Sequence, residues 1–417
     1  MSISLRAFKK SVDILPSKSQ SVRALIFALL ATGRSTIQNL LPSPDIEAIV
    51  TGCQQLGALI ERTDTTLYMT GTGGKLKRSD RAIDVGNSGL GLRFFTAIST
   101  LSPQPITITG DHSICNRRPS QPLMEALLQL GASVTTIKNN GFAPLVVQGP
   151  LEGGRADIDG RDSQPVSALI VATLFANRDS VLHVQEAGER PYIDMTLQWL
   201  DRLKLSYSRK EYDRFYVPAG QRIPSFHYRV PADFSTATFL VAAALITHSE
   251  VELLGLDFDE PQGDKAFFSI VEEMGATVLR EKQRIIVRSK GVLRAIHCDL
   301  NSSIDSVPII AVLAAYAQGK TKVFGVRNAC FKECDRLNCT AKELRKLGVK
   351  VDVFEDALEI EGGAGLQGGT VYSHEDHRLA MALLIGGLGA KEQVRVEGTE
   401  CIKKSYPTFF NDFLAYV

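Results

Sequence analysis

The chain has 417 residues, and 47 lysines and arginines against 46 acidic residues leave a formal charge of +1. At 44% hydrophobic and 22% charged residues the composition is that of an ordinary globular protein; the length suits two or three domains at roughly 150 residues each. A near-neutral balance with no long basic run argues against nucleic-acid binding and against a polybasic membrane tether. The longest apolar stretch, Leu379 to Ala390, is about a dozen residues and too short to span a bilayer. MSISLRAFKKSV, at the N-terminus, has neither an apolar signal core nor a small-residue cleavage site, so a cytoplasmic location is expected. The seven cysteines are scattered without regular spacing and read as free thiols of a reducing compartment. Cys330, Cys334 and Cys339 contain no C-x-x-C pair, and His374 and His377 in SHEDH are weak metal evidence by themselves, so no metal is expected.

In chain order, the first predicted element follows PSKSQSVR: a helix with the apolar run ALIFALL from Ala24, then a polar break and the strand STIQNLL. A second helix turns at Gly57 in CQQLGALIE and runs into another strand. Both phrases then recur. DVGNSGLGLR leads into LRFFTAISTLSPQPITITG from Leu92, and LLQLGASV turns at Gly131. GRDSQPVS leads into SALIVATLFANRDSVLHV from Ser167, followed by a worn copy of the second phrase, LDRLKLSYS, with Lys204 where the glycine should be. The stretch VPAGQRIPSFHYRVPADFS breaks the pattern with Pro218, Pro224 and Pro231. TATFLVAAALITHSEVELLG then begins at Thr236 and VEEMGATV turns at Gly275; PIIAVLAAYAQGKTKVFG begins at Pro308 and LRKLGVKVD turns at Gly348. The sixth copy of the first phrase, RLAMALLIGGLGAKEQVRVEG, starts at Arg378.

The period is about 70 residues throughout, the mark of an internal repeat. Helices apolar on all sides are predicted to be buried, and glycine after the second helices matches the left-handed C′ position. Six units of strand, helix, strand, helix, strand divide into two domains of three, broken at the proline-rich stretch. The expected boundaries are 17–231 for one domain and 1–16 plus 232–417 for the other.

Polar residues gather ahead of the apolar helices: Lys18, Ser19 and Arg23 before the first, Asn87, Gly89 and Arg93 before the second, and Ser163 and Gln164 before the third. Asp233 and Ser235, Asp305, and His377 with Arg378 precede the other three. Helix N-termini favour anions. Taken singly, Ser17, Ser19, Ser163 and Ser235 serve equally well as N-caps, Gly89 as turn geometry, and Lys18 or Arg23 as solvated side chains. A second basic set stands ahead of the other helices: Arg117-Arg118, Arg190, Lys265, Lys332 with Arg336, and Lys403-Lys404. So many cations at element junctions, in a chain of net charge +1, point to a site for a small polyanionic metabolite, since arginine forks suit phosphate and carboxylate alike.

These segments resemble the EPSP synthase family, enolpyruvyl transferases acting on phosphoenolpyruvate (PEP) and shikimate 3-phosphate. LPSKSQSVRAL is similar to the family's P-G-S-K-S-x-S-x-R-A, VGNSGLGLR to L-G-N-A-G-T-x-x-R, and NRRPSQPLMEAL to its R-x-R-P segment. DSQPVSALI, PYIDMTL, ADFSTATFL, QGDKAFFSIVEEMGA, FKECDRLNCTAKELRKLG, DHRLAMAL and CIKKSYP follow in order along nearly the whole chain. The resemblance implies an α/β fold of two domains, each an inverse α/β barrel-like arrangement of three βαβαββ repeats, with the active site in the cleft between them. It implies transfer of enolpyruvyl from PEP to the 5-hydroxyl of shikimate 3-phosphate, in the shikimate pathway of aromatic amino-acid biosynthesis. Lys18, Arg118, Arg336, Arg378 and Lys404 would bind the PEP phosphate and carboxylate, with Asn87 and Gly89 lining that pocket. Asp305 would hold the shikimate hydroxyls and take the 5-OH proton, and Glu333 would handle the proton at C3, with Lys18 and Lys404 completing the catalytic set. Ser19, Arg23, Ser163, Gln164, Tyr192, Asn328 and Lys332 would bind shikimate 3-phosphate. No metal or organic cofactor is implied; the expected partners are the two small substrates, with no nucleic acid and no membrane, and a monomer is expected.

The sequence departs from the family pattern at several places. Leu90 replaces the family's threonine, and Leu92-Arg93-Phe94 its M-R-P. Of three serines that bind the 3-phosphate in the family, only Ser163 remains; Asp162 and Glu189 occupy the other two positions. A like charge about 4 Å from phosphate costs on the order of 4 kcal/mol at an effective dielectric near 20, so compensation is expected: Arg190 pairing with Glu189, and Arg161 or Arg23 taking the phosphate. Three rival readings are an enolpyruvyl transferase using UDP-N-acetylglucosamine, one using an acceptor without the 3-phosphate, and a non-catalytic ligand-binding paralogue. The first requires a cysteine five residues before the Arg-Pro pair, whereas Cys115 stands three before Arg118. Retention of Lys18, Asp305, Glu333 and Arg378 argues against the last.

Overall fold

The computed structural model describes residues 9–77 and 79–414; residues 1–8 of the N-terminal segment discussed above lie outside the described residues. The chain contacts itself as two compact units, one running from Pro16 to Val230 and the other joining the residues up to Leu15 to those from Pro231 onward. In the first unit the helices are α1 (Lys18–Leu30), α2 (Pro44–Gln55), α3 (Gly89–Ser99), the short α4 (His112–Asn116), α5 (Gln121–Gln129), α6 (Ser163–Thr173) and α7 (Arg190–Arg202). In the second they are α8 (Phe234–Ile246), α9 (Ala266–Glu273), α10 (Val307–Tyr316), α11 (Arg336–Lys346), α12 (His377–Gly387) and the short α13 (Phe409–Leu414). No helix among the described residues is long and apolar enough to cross a membrane.

One sheet plan recurs. In the first unit, His227–Arg229 lies parallel to Arg34–Gln38, which pairs antiparallel with Thr66–Thr70, and that strand with Leu59–Arg62. Ile83–Asp84, Ile106–Thr109, Leu145–Gln148 and Ser133–Thr136 repeat this order and polarity, as do Gly154–Asp159, Ser180–Gln185, Arg214–Val217 and Ser208–Lys210. The second unit builds the same sheet twice. Lys9–Asp13 leads the first, which continues with Glu250–Leu254, Arg284–Arg288 and Thr277–Glu281. His297–Asp299 leads the second, before Lys320–Phe324, Ala357–Glu361 and Lys350–Phe354. Gly369–Tyr372 and Val394–Glu397 form a parallel pair. Where the parallel strands are consecutive in the chain, the apolar helices α3, α6, α10 and α12 supply the crossover; His227–Arg229 and Lys9–Asp13 instead join their sheets from distant parts of the chain, and the antiparallel steps are made by the second helix and a hairpin.

Crossover helices with no polar face must be covered all round. All residues of α8 are buried, as is α10 from Val307 to Ala315, and these two pack on each other and on α12. In the first unit α3 packs against α1 and α6. Each fully buried Leu, Ile, Val or Phe contributes about 1.5–3 kcal/mol, so these helices anchor each unit's core. Trp199 of α7 closes one core: its ring stacks on Phe27 at 5.0 Å, and its Nε1 donates to Gln20 Oε1 at 2.9 Å. The second helices are amphipathic and end as their sequences imply. Gly57, Gly131, Gly275 and Gly348 take φ between 85° and 112°, and Lys204 is forced into the same region at φ 56°.

Candidate active site

In the first unit, α1 opens behind Ser17, whose hydroxyl accepts from the Gln20 amide, so Lys18 and Ser19 stand in the first turn. Lys18 Nζ lies against Asp45 Oδ2, and Asp45 is buried in the first turn of α2. Arg23 is 1% exposed; it donates to Thr196 Oγ1 at 2.9 Å, to Ser19 O at 3.2 Å and to Tyr192 O at 2.7 Å. All three acceptors are neutral, and burial pushes the guanidinium's pKa down to about 10. A cation so placed gains most from an anionic ligand.

Asn87 donates Nδ2 to Asp111 Oδ2 at 2.6 Å and accepts from Arg118 Nη2 at 3.5 Å, while Arg118 Nε reaches Ser113 Oγ at 3.3 Å. A Cβ on Gly89 would stand 2.1 Å from Arg118 Nη1 and 3.1 Å from Gln164 Oε1. Glycine is therefore what lets the guanidinium reach the start of α3, and it brings Asn87, Gly89, Arg118 and Gln164 to one place beside a helix N-terminus. Arg93, one turn into α3, is 3% exposed. Its Nη2 donates to Pro119 O at 2.9 Å and lies 3.8 Å from Asp162 Oδ2, while its Nε and Nη1 have no hydrogen-bond partner. Burial lowers its pKa, with Asp162 opposing that shift.

Both acids at the family's serine positions are absorbed into local structure. Asp162 caps α6, its Oδ1 accepting from the Gln164 amide at 3.0 Å, and faces Arg93. Glu189, 3% exposed and at φ 44°, accepts from Ser163 Oγ at 2.8 Å. Arg190, expected to pair with Glu189, instead donates to Ala187 O at 3.2 Å and lies 5.0 Å over the Tyr212 ring. A nearby carbonyl and an aromatic face capture it first. Arg161 is exposed and held by Asp159.

In the second unit, one guanidinium gathers the acids. Arg336, the first residue of α11 and 1% exposed, donates Nε to Asp376 at 2.6 Å, Nη1 to Asp305 at 2.5 Å and Nη2 to Glu333 at 2.6 Å. Asp305's other oxygen is 2.9 Å from Arg378 Nη2, and Arg378 Nη1 lies against Ser235 Oγ. Asp376 caps α12, accepting from the amides of Arg378 at 2.8 Å and Leu379 at 3.3 Å, and from Cys334 Sγ at 3.7 Å. Burial pushes the Asp305 carboxyl up, but Arg378, Arg336 and Lys332 outweigh it and hold the group well below the usual carboxylate range. Burial likewise opposes the charge on Arg336, yet Asp376, Glu333 and Asp305 keep it firmly protonated. Glu333 Oε1 is 3.7 Å from His377 Nδ1. Lys332 is buried; Asn328, on the 3-10 turn Arg327–Phe331, and Lys404, ending the 3-10 turn Thr399–Lys404 that packs on α12, are half-buried.

The expected residues thus fall into two sets. Lys18, Ser19, Arg23, Asn87, Gly89, Arg118, Ser163, Gln164 and Tyr192 belong to the first unit; Asp305, Asn328, Lys332, Glu333, Arg336, Arg378 and Lys404 belong to the second. Sequence reasoning missed Asp45, Asp111 and Asp376, which hold Lys18, Asn87 and Arg336. Asp376 stood inside DHRLAMAL, whereas Asp45 and Asp111 carried no signal beyond an acid at a helix start.

The family model for EPSP synthase (3-phosphoshikimate 1-carboxyvinyltransferase) matches residues 5–413. Among curated relatives, the 3-phosphoshikimate 1-carboxyvinyltransferase of Chlamydia muridarum is 40% identical over 405 residues, covering 95% of this chain and 90% of its own length. That of Acetivibrio thermocellus is 39% identical over 414 residues, covering 99% and 97%. Among solved structures, EPSP synthase from Acinetobacter baumannii superposes with a TM-score of 0.81 at 26% identity, covering 99% of this chain and 96% of that one. An enolpyruvyl transferase from Streptomyces tendae shares the fold, with a TM-score of 0.78 at 17% identity over 98% of this chain and 95% of its own. The mixed α/β fold is that of solved EPSP synthases, and the chain belongs to the EPSP synthase (3-phosphoshikimate 1-carboxyvinyltransferase) family.

Proposed function

We propose that this transferase moves the enolpyruvyl group of PEP to the 5-hydroxyl of shikimate 3-phosphate, giving 5-enolpyruvylshikimate 3-phosphate and phosphate, and that both sets of residues serve this one pair of substrates. The carrying observation is Arg336, which holds Asp305 and Glu333 on one guanidinium at 2.5 and 2.6 Å. The acceptor hydroxyl adds to C2 of PEP as a proton reaches C3, and the tetrahedral adduct then expels phosphate. Asp305 takes the hydroxyl proton and Glu333 handles the proton at C3. A carboxylate held low by three cations is a weak base at rest. When the PEP carboxylate shares Arg336 and Arg378, their hold on Asp305 weakens and its basicity rises toward the working range. Lys18, Arg118 and Lys404 take the phosphate as it leaves, with Asn87 and Gly89 shaping that end of the pocket. Ser19, Arg23, Ser163, Gln164, Tyr192, Asn328 and Lys332 bind shikimate 3-phosphate, with Arg23 as the cation that takes the 3-phosphate, while Arg93 faces Asp162 and Ser163 holds Glu189.

The recurring sheet plan supports reading the two domains as inverse α/β barrels of three repeats each, the sixth reduced among the described residues to the parallel pair Gly369–Tyr372 and Val394–Glu397 around α12; a cytoplasmic monomer without metal or organic cofactor is part of the same proposal. The UDP-N-acetylglucosamine reading is not favoured: Cys115 is tied to Gly110 O at 3.3 Å, and the matching relatives carry the shikimate name. The test is phosphate release from PEP with shikimate 3-phosphate, shikimate and UDP-N-acetylglucosamine in parallel. Release with shikimate 3-phosphate alone is expected; release with unphosphorylated shikimate, or with none of the three, sinks the acceptor assignment.

A further inference from the structure

The turn that delivers Asp376 and Arg378 is built from a conformation its residues disfavour. His374 and Glu375 are consecutive non-glycine residues at φ 53° and 60°. Left-handed backbone at such positions persists only where the surroundings hold it. Part of the hold is local: Ser373 Oγ donates to Gly398 O at 2.7 Å and accepts from the Glu375 amide at 3.2 Å. The rest comes from Glu343 on α11, whose side chain is fully buried. Its Oε1 lies 2.8 Å from His374 Nε2, and its Oε2 accepts from the Tyr372 amide at 3.0 Å and from Lys346 Nζ at 2.7 Å. Burial pushes this carboxyl's pKa up, but its partners Lys346, His374 and the Tyr372 amide outweigh that and keep it below the ordinary value. His374 is thus a donor to a buried acid, with its ring 5.2 Å from that of Tyr372.

Glu343 stands seven residues after Arg336 on the same helix, a spacing that returns to the same face. That face grips one short segment at two points: Arg336 on Asp376, and Glu343 on Tyr372 and His374. We propose that Glu343 is a positioning residue for enolpyruvyl transfer, fixing the left-handed turn at His374 and Glu375 so that Asp376 meets Arg336 and Arg378 meets Asp305. It touches no reacting atom. The inference rests on the reading above that Arg378 binds the PEP carboxylate.

The experiment measures KM for PEP and for shikimate 3-phosphate separately in Glu343→Gln, His374→Ala and His374→Gln, alongside urea unfolding. Loss of the buried charge or of its donor is expected to raise KM for PEP about tenfold or more, the scale of one charged hydrogen bond, and KM for shikimate 3-phosphate distinctly less, through Asp305 alone. His374→Gln keeps a donor and is expected to recover most of the loss seen in His374→Ala. If Glu343→Gln does not fold, the histidine pair decides alone. Lower stability with both KM values unchanged, equal increases in the two, or no difference between His374→Ala and His374→Gln overturns the proposal. Arg378→Ala separates the two inferences: an unchanged KM for PEP there refutes the PEP-site reading itself rather than the role of the turn.

Discussion

A single methyl group tests the anion pocket of the first unit. The Cβ of Gly89→Ala would approach Arg118 Nη1 to 2.1 Å, inside any tolerated contact, and Arg118 is held in place by Asn87 and Ser113. The guanidinium must therefore retreat from the start of α3, and KM for PEP should rise about tenfold, the worth of one charged hydrogen bond, with kcat less affected. Unchanged steady-state kinetics would mean that Arg118 does not meet PEP there. Asp376 is the corresponding test in the second unit. Asp376→Ala removes both the cap of α12 and one of the three carboxylates on Arg336. A cap and a charged hydrogen bond together are worth roughly 2–4 kcal/mol, to be read as a lower urea midpoint at unchanged slope. Cys334 beside it is buried, and its contact with Cys339, then burial and the Asp376 charge push the thiol up, so it is expected to resist alkylation in the folded protein; ready alkylation would contradict this.

At the scale of an element, the exception in the repeat is the informative copy. Four second helices end on glycine at positive φ, and α7 ends on Lys204 at φ 56°. The sequence pattern marked Lys204 as standing in a glycine position, and the backbone shows why: the chain must reverse into Leu205, whose amide returns to Leu200 O at 2.9 Å. An L-residue held there costs about 1–2 kcal/mol, less the extra freedom glycine has in the unfolded chain. Lys204→Gly should thus stabilise the protein by roughly 1 kcal/mol in urea unfolding; a loss of stability would show that the lysine side chain holds the turn. Helix starts were legible to within two residues, but the capping side chain was not, because neighbouring serines and aspartates compete for the same free amides. Of the serines considered as caps only Ser17 caps its helix; Ser19, Ser163 and Ser235 lie inside α1, α6 and α8, and the caps of α6, α8 and α12 are Asp162, Asp233 and Asp376.

Across the whole molecule, buried acids of opposite behaviour set the pH dependence. Burial raises the Asp233 carboxyl from an ordinary 3.8 to about 6, with Arg378 only partly offsetting it. The folded protein then binds a proton that the unfolded chain has already lost, so stability falls as pH rises from about 4 to 6 and stays lower above. A shift of that size amounts to about 3 kcal/mol. Asp233→Asn retains the cap and should remove this decline; parallel curves for the two proteins between pH 4 and 7 would refute the buried-acid account. Asp305 acts in the other sense: its carboxyl is held low in the fold, so its contribution is present above about pH 4 and is lost on further acidification. What the sequence alone determined is what local order along the chain can carry. It comprised the α/β character, the recurring helix and strand phrases, the glycine turns, the concentration of cations at helix starts, and motifs specific enough to indicate the family. The tertiary structure decided which charges neutralise which. Arg336 takes partners 3, 31 and 40 residues away, Lys18 one 27 away, and Glu189 ends on Ser163 rather than on its neighbour Arg190. Such choices turn on differences of a few tenths of an ångström between side chains brought together by helix packing, and no periodicity in one dimension encodes them.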